Sequence, residues 1–310
     1  RPDLWAASLQ AGQIFLNQQS SHEIDSGPAV VATHLVPDTD HFNGRGGRVL
    51  PLLHPDGSPN VPHGLLAYLA EATNQDRVAA ADLAAYVVAV AGHDAFTQRF
   101  AEELLTPGVR VPLTRDGALW ARAVALGREI LWASSYGDQC ADPALGRPAG
   151  DVRYPGGDER QVRYLTPIGS RVPERLAYDE ATRTLHVGAG SFAPVPDVVW
   201  AYDVGGMKVV NKWFGYRKAA PSSKRTSPLD DIHAERWPHE WTRELVDLLS
   251  VLRRLTDLEP AQGELLGEIL AGPVITEAEL VAAGVLPVAA AARKARHRAA
   301  DVLFEEQEAR

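Results

Sequence analysis

Hydrophobic and polar positions follow two rhythms along this chain, and the changes between them divide it. Short β-branched or apolar runs at residues 13–15, 29–36 and 49–53, each close to Gly, Pro or Asp, predict strands. From Gly64 to about Gly137 the spacing lengthens to that of helices. Asp82 and Asp94 stand ahead of apolar-periodic runs, and Asp116 precedes a run in which Leu119, Ala123, Leu126, Ile130 and Ala133 share one face. Residues 141–157, rich in Pro, Gly and Asp, form the clearest internal boundary. Strand rhythm returns at 161–165, 175–178 and 184–187, the last two closing as a hairpin around residues 179–182. An apolar turn after Pro196 leads through Gly205-Gly206 into another helix. Residues 237–258 and 261–270 then read as two helices separated by Pro260, with Leu245, Leu248, Leu249, Leu252 and Leu255 as the buried stripe. Residues 289–310 are Ala-rich and read as a last helix, with Arg293, Lys294, Arg296 and Arg298 ahead of an acidic stretch. The fold class expected is α+β, a helical layer between two strand-rich parts with C-terminal helices. The organisation expected is 1–140, then 158–272, then a tail at 273–310.

Composition narrows the setting. With 310 residues, 45% of them hydrophobic, the chain can bury real cores. Its one cysteine, Cys140, excludes an internal disulfide and fits a reducing cytosol, so a cytoplasmic protein is expected. Without a paired base nearby, that thiol reads as a small buried hydrophobe. Apolar runs such as residues 84–91 are too short to cross a bilayer, and no signal-peptide pattern opens the sequence. The chain opens on Arg1 rather than Met, which suggests a piece of a longer polypeptide.

Charge changes the picture most. Residues 207–225, MKVVNKWFGYRKAAPSSKR, carry six basic side chains and no acidic one within a chain of net charge −9, so the remainder sums to −15. Wound at about 100° per residue, the first half sets Lys208, Asn211, Lys212, Gly215 and Lys218 on one arc and Val209, Val210, Trp213, Phe214 and Tyr216 on the other. Lysines neutralise phosphates, Asn pairs with an adenine edge, and glycine lets a backbone approach closely. The stretch that follows adds Ser222, Ser223, Lys224 and Arg225 beside Pro221, a loop whose hydroxyls and cations can reach phosphate oxygens. An ordinary amphipathic surface helix with solvated lysines has the same pattern. Residues 41–48 form a glycine-rich loop with Arg45 and Arg48; it lacks the spacing of a P-loop, and a plain turn explains it equally.

Catalytic patterns are missing. There is no Gly-x-Ser-x-Gly elbow, no Cys-x-x-Cys or His-Glu-x-x-His, and no phosphate-cradling Gly-x-x-x-x-Gly-Lys-Ser/Thr. His233, His239 and Glu240 come nearest to a metal set, but their spacing does not place both histidines on one turn. Asp230-Asp231 suits a cap or turn, or holds Arg225 or Arg236. No catalytic site, metal or cofactor is expected in this chain.

An ordered set of segments completes the reading: Gly27-Pro28-Ala29-Val30-Val31-Ala32-Thr33, Val36-Pro37-Asp38, His41-Phe42, Arg110-Val111-Pro112-Leu113, Gly127-Arg128-Glu129-Ile130-Leu131-Trp132, Tyr178-Asp179, Trp213-Phe214-Gly215-Tyr216-Arg217 and Ser227-Pro228-Leu229-Asp230-Asp231-Ile232. Together they resemble the C-terminal specificity domain of Type ISP restriction-modification enzymes, from about Gly27 to about Gly272. In that family one bacterial polypeptide joins a nuclease, an ATP-driven translocase, an adenine-N6 methyltransferase and a target-recognition domain. The resemblance implies that this chain reads a short asymmetric sequence of double-stranded DNA and presents it to the methyltransferase domain. S-adenosylmethionine, ATP and Mg would bind elsewhere in the parent enzyme, and no membrane is involved. It makes Asn211 and Lys212 candidates for base edges. Lys208, Lys218, Lys224 and Arg225 become candidate phosphate contacts and Arg217, Ser222 and Ser223 further candidates for DNA binding, with Trp213 and Tyr216 bracing the helix from behind. Arg45, Arg48 and Arg171 form a second tier. The competing reading is a docking module whose lysines meet an acidic partner protein.

Overall fold

The first strand of the chain becomes the centre of its sheet. In the computed structural model, which describes residues 2–19, 23–38, 42, 47–219 and 234–297, a short helix α1 (Pro2–Ser8) precedes β1 (Phe15–Gln19). Antiparallel partners β2 (Val30–Thr33) and β3 (Gly47–Pro51) lie on either side, with Phe15 opposite both Thr33 and Pro51. β1 alternates buried and half-buried positions, as a strand covered on one face must.

Helices α2 (Leu65–Ala72), α3 (Ala80–Ala91), α4 (Asp94–Arg99) and α5 (Gly117–Ser134) form the layer that the spacing predicts. Small side chains let α3 and α5 approach closely: Ala85 and Ala89 are fully buried, and a Cβ on Gly127 would lie 1.8 Å from the Ala85 carbonyl oxygen. The three aspartates act at helix starts. Asp116 accepts from the Ala118 and Leu119 N–H groups at 2.7 and 3.0 Å, and Asp82 from Ala79 N–H at 2.9 Å. Asp94 accepts from Gly27 N–H at 2.8 Å and so ties α4 to the approach of β2.

The second part is a four-stranded antiparallel sheet of β4 (Arg163–Thr166), β5 (Leu176–Asp179), β6 (Thr184–Val187) and β7 (Gly190–Ala193), ordered β4-β7-β6-β5. The β5–β6 hairpin matches the expectation from the sequence. β7 does not appear in that reading, because Gly190-Ser191-Phe192-Ala193 carries one large apolar residue; Gly190 is required where Ile168 packs onto the backbone. A short helix α6 (Asp197–Ala201) stands where a turn is expected. It is followed by the ribbon β8 (Asp203–Val204) and β9 (Met207–Lys208), then α7 (Val209–Gly215).

One helix, α8 (His239–Ala271), replaces the two expected around Pro260. Proline removes one backbone hydrogen bond, but Pro260 lies on the exposed side while both halves of the helix are held by packing. Leu245, Leu249 and Leu252 are buried in the aromatic core of the second part; Leu265, Leu266 and Ile269 are buried in the first. Just beyond the proline, the Gln262 amide donates to the Val88 and Ala89 carbonyls, each at 3.1 Å. The predicted boundary at 141–157 packs against this same helix, with the Arg254 guanidinium 3.7 Å over the Tyr154 ring. After α9 (Glu277–Ala282) the described residues of the tail make a 3₁₀ turn at Ala290–Arg293, within the stretch 289–310 where a helix is expected; residues 298–310, Arg298 among them, lie outside the described residues. Among the described residues, no helix is long and apolar enough to cross a membrane.

Candidate nucleic-acid interface

The basic helix is aimed by the turn before it. Gly205 and Gly206 take positive φ of 58° and 78°, the pair of left-handed positions that a two-residue hairpin turn needs. A Cβ on Gly205 would stand 3.3 Å from the Phe42 ring, so the ribbon sits directly against the end of the Val36–Phe42 stretch. The Val209 N–H then donates to the Tyr202 carbonyl at 3.1 Å and starts α7 at a fixed angle.

Val210 and Phe214 are buried in the second core, and Trp213 is half-buried behind them. Trp213, Trp237 and Trp241 meet edge to face, with centroids 6.2 and 5.2 Å apart, and form a wall behind the helix. On the opposite side Lys208, Asn211, Lys212, Gly215 and Lys218 are all exposed. None of these three lysines has an acidic partner among the described residues.

Two aromatic and basic positions differ from expectation. Tyr216 does not brace the helix: it is 75% exposed, with the Lys212 ammonium 5.3 Å from its ring. It stands four residues after Lys212 and therefore on the same ridge. Arg217 turns inward. Its guanidinium lies 4.1 Å over Trp213, donates to the Trp213 carbonyl at 3.0 Å and pairs with Glu244 at 2.8 Å. It lies four residues after Trp213, so helical spacing itself assigns it to the wall.

The second part carries further cations beside the wall. Trp237 N–H donates to the Ser170 carbonyl at 3.2 Å, and Arg171 pairs with Arg236 in an antiparallel bridge. Both arginines are exposed and have no acidic partner among the described residues. Arg236 is absent from the sequence reading of the site, since only the fold sets it beside Arg171. The Ala219 N–H donates to the Pro173 carbonyl at 3.0 Å, so the chain leaves α7 and returns at Ala234 along one stretch of backbone. Ser222, Ser223, Lys224 and Arg225, together with Asp230, Asp231, His233 and Arg45, lie outside the described residues. Arg48 is exposed on β3. Among the described residues no three His, Cys, Asp or Glu side chains converge as metal ligands, and burial raises the pKa of the Cys140 thiol.

The model of the Type ISP C-terminal specificity domain matches residues 1–248. The chain belongs to that family. The specificity domain is similar in fold to three larger solved proteins. One is described as a cryoEM structure of a DrdV–DNA complex, with TM-score 0.54 and 17% identity over 84% of this chain and 25% of that one. Another is a nuclease-deletion mutant of the Type ISP restriction-modification enzyme LlaGI in complex with a DNA substrate mimic, with TM-score 0.51 and 16% identity over 86% and 22%. The third is the ATP-dependent Type ISP restriction-modification enzyme LlaBIII bound to DNA, with TM-score 0.56 and 13% identity over 86% and 16%. The specificity domain thus spans a quarter or less of each neighbour. Comparison with curated proteins gives no match.

Proposed function

We propose that the specificity domain recognises a short asymmetric sequence of double-stranded DNA through the exposed face of α7 and offers it to an adenine-N6 methyltransferase on the same parent polypeptide. The observation that carries this reading is that Lys208, Lys212 and Lys218, exposed beside Asn211 on α7 and its ends, meet no acidic partner among the described residues in a chain of net charge −9. Lys208 and Lys218 take phosphates, as do Lys224 and Arg225 in the segment that follows. Asn211 and Lys212 read base edges, and the Tyr216 ring offers an apolar surface to a sugar or a thymine methyl. Arg217 holds the wall. S-adenosylmethionine, ATP and Mg belong to the rest of the parent enzyme. The acidic remainder does not oppose binding, because screening confines each charge to about 8 Å at physiological salt.

Selection from a randomised duplex pool tests the reading. The wild-type chain enriches one asymmetric sequence, and Asn211→Ala reduces the preference at one position by about 10-fold or more. Enrichment of no sequence, with tight binding to an acidic protein surface instead, would establish the docking role.

A further inference from the structure

Between α1, β3 and the tail runs a groove of about 690 Å³, with Arg48 of β3 and Arg293 of the tail among the residues that line it. The tail is fixed there by two contacts. Asp56 N–H donates to the Arg296 carbonyl at 3.0 Å, and His297 meets the Asp3 carboxylate at 3.0 Å. The Asp3 carboxylate, which also lines the groove, is thereby already engaged. Burial, then the nearby Arg296 charge, lowers the pKa of His54 in the groove wall. Arg48, Arg293 and Lys294 are exposed and have no acidic partner among the described residues, and Arg296, also exposed, lies within electrostatic reach of the Asp56 carboxylate. The last three lie beyond residue 248, outside the part that the family model matches.

We infer that this groove is a second binding site for the phosphate backbone of duplex DNA, lined by Arg48 and Arg293 and supplemented by Lys294 and Arg296 of the adjoining tail. The inference rests on the DNA-binding reading of α7 and extends it to a separate place on the fold. Phe42 packs on the ribbon that launches α7, and Arg48 follows it by six residues. Fully extended chain covers at most about 3.4 Å per residue, so the two lie within roughly 20 Å. That is about six steps of phosphate along one strand. The span from the ribbon to Arg48 is thus no longer than a short duplex. Arg48 and Arg293 both line the groove, and the one amide side chain among its lining residues, Asn60, already donates to the Pro51 carbonyl at 2.8 Å, so the cations suit contacts that position a duplex without reading its sequence.

The test is binding of a mixed-sequence linear duplex to the 310-residue chain over a range of salt concentrations. The triple variant Arg293→Ala, Lys294→Ala, Arg296→Ala is expected to make the slope of log K against log salt shallower by about three. The preference among sequences found for the wild type stays unchanged. Replacement of both arginines by lysine keeps the slope, which separates charge from any loosening of the tail. If the alanine triple binds with unchanged slope while Lys208→Ala and Lys218→Ala weaken binding, the groove is not a DNA site and the α7 reading stands. If neither set changes binding, both fail.

Discussion

On the helical layer Arg115, Arg122 and Arg128 each close on a carboxylate, that of Glu279, Glu268 and Asp82, whereas Lys208, Lys212, Lys218, Arg171 and Arg236 meet none among the described residues. The cores beneath them differ as well. Alanine and glycine bring α3 and α5 into backbone contact, while tryptophans fill the space behind α7. Exposed ion pairs contribute little to stability, so the layer is held by its close packing. The α7 face leaves its positive charge to be matched from outside, on a platform of rigid rings that lose little entropy when the cations are fixed.

The largest expected effect breaks the first region. Gly127→Ala drives a methyl into the Ala85 carbonyl, which cannot swing away as a side chain would. A loss of about 3 kcal/mol, seen as a Tm fall of roughly 6–12 °C by calorimetry, is expected. An unchanged Tm would show that the two helices are not in backbone contact.

A smaller effect sharpens the distinction inside the second region. Arg217→Ala removes a stacked, paired guanidinium and should cost about 1–2 kcal/mol of stability while leaving the salt dependence of DNA binding intact. Lys212→Ala should do the reverse, with Tm unchanged and the salt slope shallower by about one. If Arg217→Ala reduced the slope and spared Tm, its place in the wall would be wrong.

The smallest effect lies at the junction. Glu259 of α8 is raised to about 7 by burial and by the Asp94 carboxylate. Its folded state favours the neutral acid, so its contribution is fully present below the ordinary value of 4.5 and is lost as pH rises towards 7. Glu259→Gln should therefore raise Tm by a few degrees at pH 8 and leave it unchanged at pH 4. A shift of equal size at both pH values would refute the assignment.

Much of this was legible in the residues because it is local. The three aspartates mark helix starts, the turn at residues 179–182 closes its hairpin, and the lysine arc of α7 follows from period alone. What escaped depends on distant neighbours. Pro260 reads as a break until two separate cores are seen to grip the same helix, and Arg236 is an ordinary arginine until the Ser170 backbone draws it beside Arg171. The first strand reads as residues 13–15 but runs from Phe15 to Gln19, where Asn17, Gln18 and Gln19 are polar, and its central place is set by pairing with segments on either side. Arg217 and Tyr216 are a different matter. The spacing of four from Trp213 and Lys212 already assigned them to wall and ridge, and grouping them by residue type hid it.

The central claim is that local charge on α7, and not the charge of the whole molecule, holds DNA. The most direct measurement compares two double charge reversals that alter net charge equally: Lys212→Glu with Lys218→Glu, and Arg77→Glu with Arg99→Glu on the exposed surface of the helical part. Affinity for a mixed-sequence duplex at one moderate salt concentration is expected to fall by about 100-fold for the first pair and by less than about threefold for the second. Equal losses, or no loss from the α7 pair, would contradict the account.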